Sequence, residues 1–440
     1  MATTSSTTTS TPVVASTRVL HFKTHSHLRH RLILSLLSRR PIRIDSIRSS
    51  LSSPGLRPYE VSFLRLIEKI TQGSRVEISY TGTSMLFHPG TLSGGSFTHQ
   101  CSMERSIGWY LEPLLAIAPF GKSELRLDLK GTTTDGRDVS VDTVRVSGLP
   151  HLTRFMDDQE VELGVSPLTR LCVSSRFRGE RAKNCPSTRS VTILKRGHPP
   201  LGGGQVIFAC PIVRSIKSGF NFTSVGRINK IRGIAHSVRV SPQLANRLVA
   251  SARSVLNRYI PDVYIHTDVY RGEDSGKSPG YALTLVASST SQVLHSTEAS
   301  SCPPLRKPEN WAPPSPEELG VQAAQELLEE IRRGGCVDRG WEWLVTLMLV
   351  LGGEDVGKCT IAGPFDAFFI EHLRDLKAFF GTTFKIKPVA ADIPEEDDNE
   401  GGSMDVDRIA KTNRRAAPAE QYTLSCVGTG YTNTARKTTC

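Results

Sequence analysis

The sequence has no apolar run long enough to cross a bilayer. Its strongest, Trp343 to Gly352 (WLVTLMLVLG), falls far short of the roughly 18–20 residues that a span needs. No two of its nine cysteines, at 101, 172, 185, 210, 302, 336, 359, 426 and 440, have CxxC spacing, and the number is odd. That speaks against a zinc ribbon and against a secreted disulfide scaffold, and for a reducing compartment. The first 44 residues contain no Asp or Glu and are rich in Ser, Thr and Arg. By composition this stretch is similar to a mitochondrial transit peptide; the competing reading is a disordered Ser/Thr head on 1–17 followed by ordinary basic structure. The apolar stretch LILSLL at 32–37 lies behind polar and basic residues, which speaks against a secretory signal. What is present is enough for a folded core: 440 residues, 38% hydrophobic and 22% charged, a length that suits two or three domains.

Charge is abundant but uneven. Lys and Arg number 54 against 43 Asp and Glu, a formal net charge of +11. Residues 392–407 hold eight acids and no base, so the rest of the chain carries +19. Arg18 to Arg48 has eight Lys/Arg and one acid, Asp45; residues 164–191 have six Lys/Arg and one acid. Two basic clusters suggest a polyanionic partner, although basic loops also serve solubility alone.

The periodicity alternates between helix and strand. Residues 28–38 and 59–70 have apolar stripes at helical spacing, and 75–80 alternates like a strand. Helices are expected also at 103–118, 241–259, 315–333, 341–351 and 368–380. Ser241-Pro242 suits an N-terminus, and Ser315-Pro-Glu-Glu318 is a capping box. Strands are expected at 125–129, 205–209, 262–266, 281–287, 383–386 and 422–427. Part of the Ser/Pro-rich 288–316 reads as linker, and the acidic 392–407 as a loop. This pattern is α/β or α+β. No repeat is visible in the residues themselves.

The sharpest motif is Arg196-Gly-His-Pro-Pro-Leu-Gly-Gly-Gly-Gln-Val206. Gly202, Gly203 and Gly204 before a strand would let the backbone approach a phosphate closely, and Arg196 would add a fork of donors. A tight turn into a buried strand explains the same glycines. Ser275-Gly-Lys-Ser278 imitates a P-loop, but the first glycine of that motif is replaced by Arg271 and Pro279-Gly280 follows in place of a helix. His21, His25, His27 and His30 lie close in sequence without carboxylate or thiolate help, which favours a basic, partly exposed RNA-facing helix over a metal site. Arg374, Asp375 and Lys377 sit on one expected helix. A carboxylate flanked by two cations can activate a hydroxyl and stabilise a phosphorane, as in metal-free RNA cleavage, but an ordinary exposed helix surface looks the same.

These residues resemble the RNA 3′-terminal phosphate cyclase family. RGHPPLGGGQV is similar to its signature R-G-x-x-P-x-G-G-G-x-V; Ser53-Pro-Gly-Leu-Arg-Pro58, His88-Pro-Gly-Thr-Leu-Ser-Gly-Gly95 and Gly334-Gly-Cys-Val-Asp338 resemble further elements. Residues 231–268, 275–287 and 327–338 resemble the cyclase-like branch more closely. The likeness runs from about residue 19 to 434. That start is too early for 18–44 to be removable, so the head is expected on 1–17.

The resemblance implies a large domain of repeated α/β units, here 18–211 and 306–440, with a smaller α/β domain inserted at 212–305. The basic segment 164–191 has no counterpart. Removing it would join 161–163 to 192–197 as one strand, so it reads as a lineage-specific loop or a gene-model error. A loop is expected at 392–418. Cyclases convert an RNA 3′-phosphate to a 2′,3′-cyclic phosphate with ATP, through an adenylylated histidine that follows a Gly-Pro pair. Here that run is Gly363-Pro-Phe-Asp-Ala-Phe-Phe-Ile-Glu-His372, with no early histidine. The glycine-rich N-terminal segment is replaced by Thr24-His-Ser-His-Leu-Arg29, which keeps only the arginine. Adenylylation should therefore fail, and no cofactor is expected. The branch implies a nuclear, nucleolar factor of small-subunit ribosome biogenesis that acts in early pre-ribosomal RNA cleavages toward 18S RNA. Its implied partners are pre-ribosomal RNA, the small-subunit pre-ribosome and a nucleolar assembly GTPase. Arg29, Arg57, Arg196 and Gly202–Gly204 are the expected phosphate or RNA contacts. An endonuclease using Arg374, Asp375 and Lys377 is the alternative, and an active cyclase a remoter one.

Overall fold

The computed structural model describes residues 19–156, 189–302, 312–389 and 420–434. The head at 1–17, most of the basic segment 164–191 and the acidic loop lie outside them.

One topology occurs three times: strand, helix, strand, helix, then a strand pair, with the four strands ordered first, second, fourth, third. In the first unit, strands Leu20–Phe22 and Ile42–Ile44 are parallel and flank helix α1 (Leu28–Ser38). Helix α2 (Pro58–Ile70) follows, and the sheet closes with the antiparallel pair Arg75–Ile78 and Met85–His88. In the second unit the strands are Gly95–Gln100, Leu125–Gly131, Ser190–Lys195 and Gly204–Cys210. Its helices are α3 (Ile107–Ile117) and α4, a continuous helical stretch over 141–154. The third unit begins at Asn221–Phe222 and resumes with α7 (Glu342–Leu351), Val356–Ala362, α8 (Ala367–Phe380), Lys385–Pro388 and Gln421–Val427. The repeat expected from the family resemblance is thus present in the backbone, although the residues do not repeat.

The first helix of each unit is the inner one. Every residue of α3 and α7 is buried, and α1 buries nine of its eleven. They pack against one another, α1 on α3 and α3 on α7, with α8 on both α1 and α7. Strands alternate accordingly. In Leu125–Gly131, Leu125, Leu127 and Leu129 point into the core, while Arg126, Asp128 and Lys130 face outward.

Between the first and second strands of the third unit lies an inserted sheet, ordered Val263–Tyr270, Ile228–Val238, Gly280–Ser289, Leu294–Ser300. Helix α5 (Pro242–Leu256) is capped by Ser241, which accepts from the Gln243 N–H. Helix α6 (Pro316–Arg333) carries the full capping box of Ser315 and Glu318. Both helices cover this sheet in a core of their own, with Leu248, Leu256, Leu283 and Leu285 meeting Leu319, Ala323 and Leu327. A boundary at 305 leaves α6 outside the unit on which it packs; we propose that the insert ends near 333.

Several strands left no sequence signal. Ile228–Val238 is buried along its second half and lacks clean alternation, and Leu294–Ser300 hides in a Ser-rich stretch read as partly linker. Both are held by ladder bonds to Gly280–Ser289, which is buried at every position. No described helix is long and apolar enough to cross a membrane.

Candidate functional site

The glycine motif builds a crossing of two backbone segments. The Gly276 N–H donates to the Arg196 carbonyl (2.5 Å), the Lys277 N–H to the Gly202 carbonyl (2.9 Å), and the Leu201 N–H to Ser278 Oγ (3.1 Å). A Cβ on Gly276 would lie 2.5 Å from the Gly202 oxygen and 2.6 Å from the Arg196 oxygen, and Gly202 adopts φ +58°. The SGKS segment that imitated a P-loop is therefore the packing partner of the glycines. Their close backbone approach is to protein, which favours the tight-turn reading over a phosphate cradle.

Arg196 is fully buried and turned away from any ligand surface. Its guanidinium makes a fork–fork pair with Asp142, whose second bond is 3.0 Å, and reaches Asp268 at 3.4 Å and the Tyr270 ring at 5.2 Å. Burial alone raises the Asp142 carboxyl, but Arg196 and Arg145 hold it well below the ordinary range. Arg196 Nη1 also meets His236 Nδ1 (3.2 Å), and His236 Nε2 meets His198 Nε2 (3.2 Å), which leaves His198 Nδ1 facing Cys302 Sγ (3.4 Å). Because an arginine can only donate, His236 accepts at Nδ1 and donates at Nε2; His198 then accepts at Nε2 and donates at Nδ1. Both rings are neutral. Burial, with Arg196 beside it, pushes His198 down to about 4 and His236 well below its usual value. The expected phosphate contact is thus a pillar between the second unit and the insert.

Arg29 is also closed on protein. It donates to the Trp109 carbonyl (2.7 Å), pairs with Glu112 (2.6 Å) and lies over the Trp109 ring. Burial pushes the Glu112 carboxyl up, and Arg29 and His30 outweigh it, holding it down. Arg105, which gave no sequence signal, lies over the Tyr59 and Trp109 rings and pairs with Asp138 (3.1 Å). Arg57 differs. It is half-exposed, and its side chain meets Ser53 Oγ (2.8 Å) while its backbone caps α2 against Glu60.

Four of the eight cations between Arg18 and Arg48 are paired by the fold, whereas Arg39 donates to the Thr434 hydroxyl and Arg40 to the Ala378 carbonyl. Arg29 pairs with Glu112, Arg31 with Asp375 and Glu371, Arg43 with Asp45, and Arg48 with Glu60. Of the four histidines expected on an RNA-facing helix, His27 and His30 pack inward, whereas His21 is exposed on the strand Leu20–Phe22. His27 stacks on Phe368 at 4.3 Å, and buried His30 meets Trp343 edge-on. Burial pushes His27 down to about 4. No metal-ligating cluster occurs among the described residues.

The cleavage trio does not converge. Arg374 and Lys377 are exposed, whereas Asp375 turns into the contact between α1 and α8, where Arg31 Nε reaches Oδ2 (2.8 Å) and Nη2 reaches Oδ1 (3.3 Å). Burial raises the Asp375 carboxyl despite Arg31. His372, the first histidine after Gly363-Pro364, is fully buried on the same helix and donates from Nε2 to the Trp343 carbonyl (3.0 Å). Burial pushes it down to about 3. A ring with no exposed surface and a donor already placed cannot attack a phosphate.

Two family models match the chain: RNA 3′-terminal phosphate cyclase over residues 20–168, and the insert domain of that enzyme over residues 223–332. The RNA 3′-terminal phosphate cyclase-like proteins of Mus musculus and Homo sapiens are each 44% identical to it over 409 residues, which covers 92% of this chain and 94% of theirs. The rRNA processing protein rcl1 of Schizosaccharomyces pombe is 38% identical over 418 residues, covering 94% and 97%. The rRNA processing protein of Saccharomyces cerevisiae is 36% identical over 404 residues, covering 89% and 96%.

Proposed function

This chain belongs to the RNA 3′-terminal phosphate cyclase family, in its cyclase-like branch, and from that premise we propose that it is a factor of pre-ribosomal RNA processing that does not cyclise RNA. It acts in early steps toward 18S RNA, in the nucleolus, on the small-subunit pre-ribosome and together with an assembly GTPase. Its likeness over nearly full length to relatives named for rRNA processing supports the first part. The observation that carries the second is the run Gly363 to His372: no histidine stands near the Gly-Pro pair, and His372 is buried and hydrogen-bonded.

The chemistry of such a protein is docking. Arg29, Arg31, Arg48, Arg105 and Arg196 each face a carboxylate, so their charge holds units together. Arg57 retains an open guanidinium face and is the expected contact with a phosphate. The endonuclease alternative finds no observation of its own here, because Asp375 is closed on Arg31. Incubation of the purified chain with ATP labelled at the α-phosphate and an RNA ending in 3′-phosphate is the test of the non-cyclising part. Neither a protein–AMP adduct nor a cyclic phosphate should form; either product refutes that part.

A further inference from the structure

The sheet of the third unit has a basic outer face. Cys359, Ile361, Leu424 and Cys426 point inward and are buried, so the alternating positions point outward. The register sets out two rows across that face. One runs Asn221, Lys358, Ser425, Lys385, and the other Thr360, Thr423, Lys387. Lys358, Lys385 and Lys387 are exposed, and none takes a carboxylate partner among the described residues. At standard sheet spacings Lys385 and Lys387 stand about 7 Å apart and Lys358 about 10 Å from Lys385. Between them lie Ser425, whose hydroxyl donates to the Lys385 carbonyl (3.4 Å), and Thr423, whose hydroxyl meets that of buried Thr360 (3.5 Å).

The corresponding faces of the other two sheets carry acids. Glu77 shares a strand face with Arg75, and Arg43 in the first sheet pairs with Asp45 at 3.1 Å. In the second, Asp128 stands on the outward face between Arg126 and Lys130 and accepts from Gln205 at 2.9 Å. Arg29, Arg31 and Arg48 of the N-terminal cluster are closed on carboxylates, whereas the three lysines of the third sheet remain open to a partner.

We propose that this face binds the phosphate backbone of an RNA strand through Lys358, Lys385 and Lys387. Its occupant follows from charge complementarity: three exposed ammonium groups on one sheet face suit phosphates and give affinity without sequence preference. The proposal rests on the reading that the protein works on RNA.

The test is fluorescence anisotropy of the full chain with a labelled single-stranded RNA, titrated between about 50 and 200 mM salt. Replacing all three with alanine (K358A, K385A, K387A) should weaken binding at least about tenfold and reduce the log–log salt slope by about 2, three phosphates at roughly 0.7 each. Replacing them with arginine should restore both. Circular dichroism melting should be unchanged, because the three side chains are exposed. Equal affinity and slope for the alanine variant overturn the proposal. So does unchanged RNA binding accompanied by altered protease protection of 392–407, which assigns the face to the chain's own acidic segment. Depletion of the protein in cells reads the functional reading separately. A depletion phenotype with lysine-independent RNA binding sinks only the present proposal; lysine-dependent binding without that phenotype sinks only the functional reading.

Discussion

At the scale of single residues, the protein divides its charges into open and closed ones. Asp142 and Arg196 are both wholly buried and share a fork of bonds. Removing one partner leaves the other charge without compensation, so Asp142→Ala should destabilise the protein by about 3–5 kcal/mol in urea unfolding. Arg196→Lys should recover little of this, since an ammonium cannot form the fork. Asp375→Ala leaves Arg31 facing only Glu371 and should also lower stability clearly, whereas the double variant Arg374→Ala, Lys377→Ala should melt like the wild type and still support pre-ribosomal RNA processing. Processing lost in that double variant without loss of fold would revive the endonuclease alternative. The motif residues were readable in the sequence, but their roles were not. Arg196 meets Asp142 across 54 positions and Arg31 meets Asp375 across 344, and nothing local in a sequence announces such pairs.

At the scale of elements, the junction between large domain and insert is made of carboxylates and crossing backbones. Glu298, on the insert's last strand, accepts from the Ser140 N–H (3.0 Å) and Thr143 Oγ1 (2.5 Å) at the start of α4. Asp338 accepts from the Ser296 N–H (3.0 Å) and from the Ser296 and Ser147 hydroxyls. Burial raises both carboxyls to about 7. A carboxyl whose value is raised on folding favours the protonated form. Its stabilising contribution is full below the ordinary carboxylate range and is lost as pH rises through about 7. Glu298→Gln removes that titration while keeping the shape. Its melting temperature relative to wild type should therefore rise as pH goes from about 5 to about 7.5; a constant difference across this window contradicts the assignment. His198, lowered to about 4, works in the opposite sense, with a contribution present above about 6.5 and lost toward pH 4. The backbone crossing gives a second prediction. Gly276→Ala should cost about 3 kcal/mol, because its Cβ meets backbone atoms of 197 and 202. Gly272→Ala, with φ +63° but open space, should cost about 1 kcal/mol. Most helices were legible from their stripes and caps. Strands such as Ile228–Val238 and Val356–Ala362 were not, because burial on both faces or along one end erases alternation.

At the scale of the whole molecule, three copies of one βαβαββ topology enclose a layer of inner helices, and the insert interrupts the third copy. The repetition escapes the sequence because what is repeated is which side of each strand and helix is buried, and many apolar residues satisfy that equally. Net charge changes meaning in the same way. The basic stretch at the N-terminus looked like an RNA surface, yet in the fold Arg48, Arg29 and Arg31 meet acids from α2, α3 and α8. Lys358 lies on one strand and Lys385 and Lys387 on another, and the two strands join only through their register with Gln421–Val427 between them. We propose that this fold serves pre-ribosomal RNA processing without cyclase chemistry. The most direct measurement is conditional depletion of the protein followed by quantification of 18S RNA and its precursors. Precursors should accumulate and 18S RNA should fall, and a His372→Gln variant that folds should restore both as well as the wild type does. Unchanged precursor levels on depletion, or a strict need for the His372 imidazole in a stably folded variant, would contradict the account.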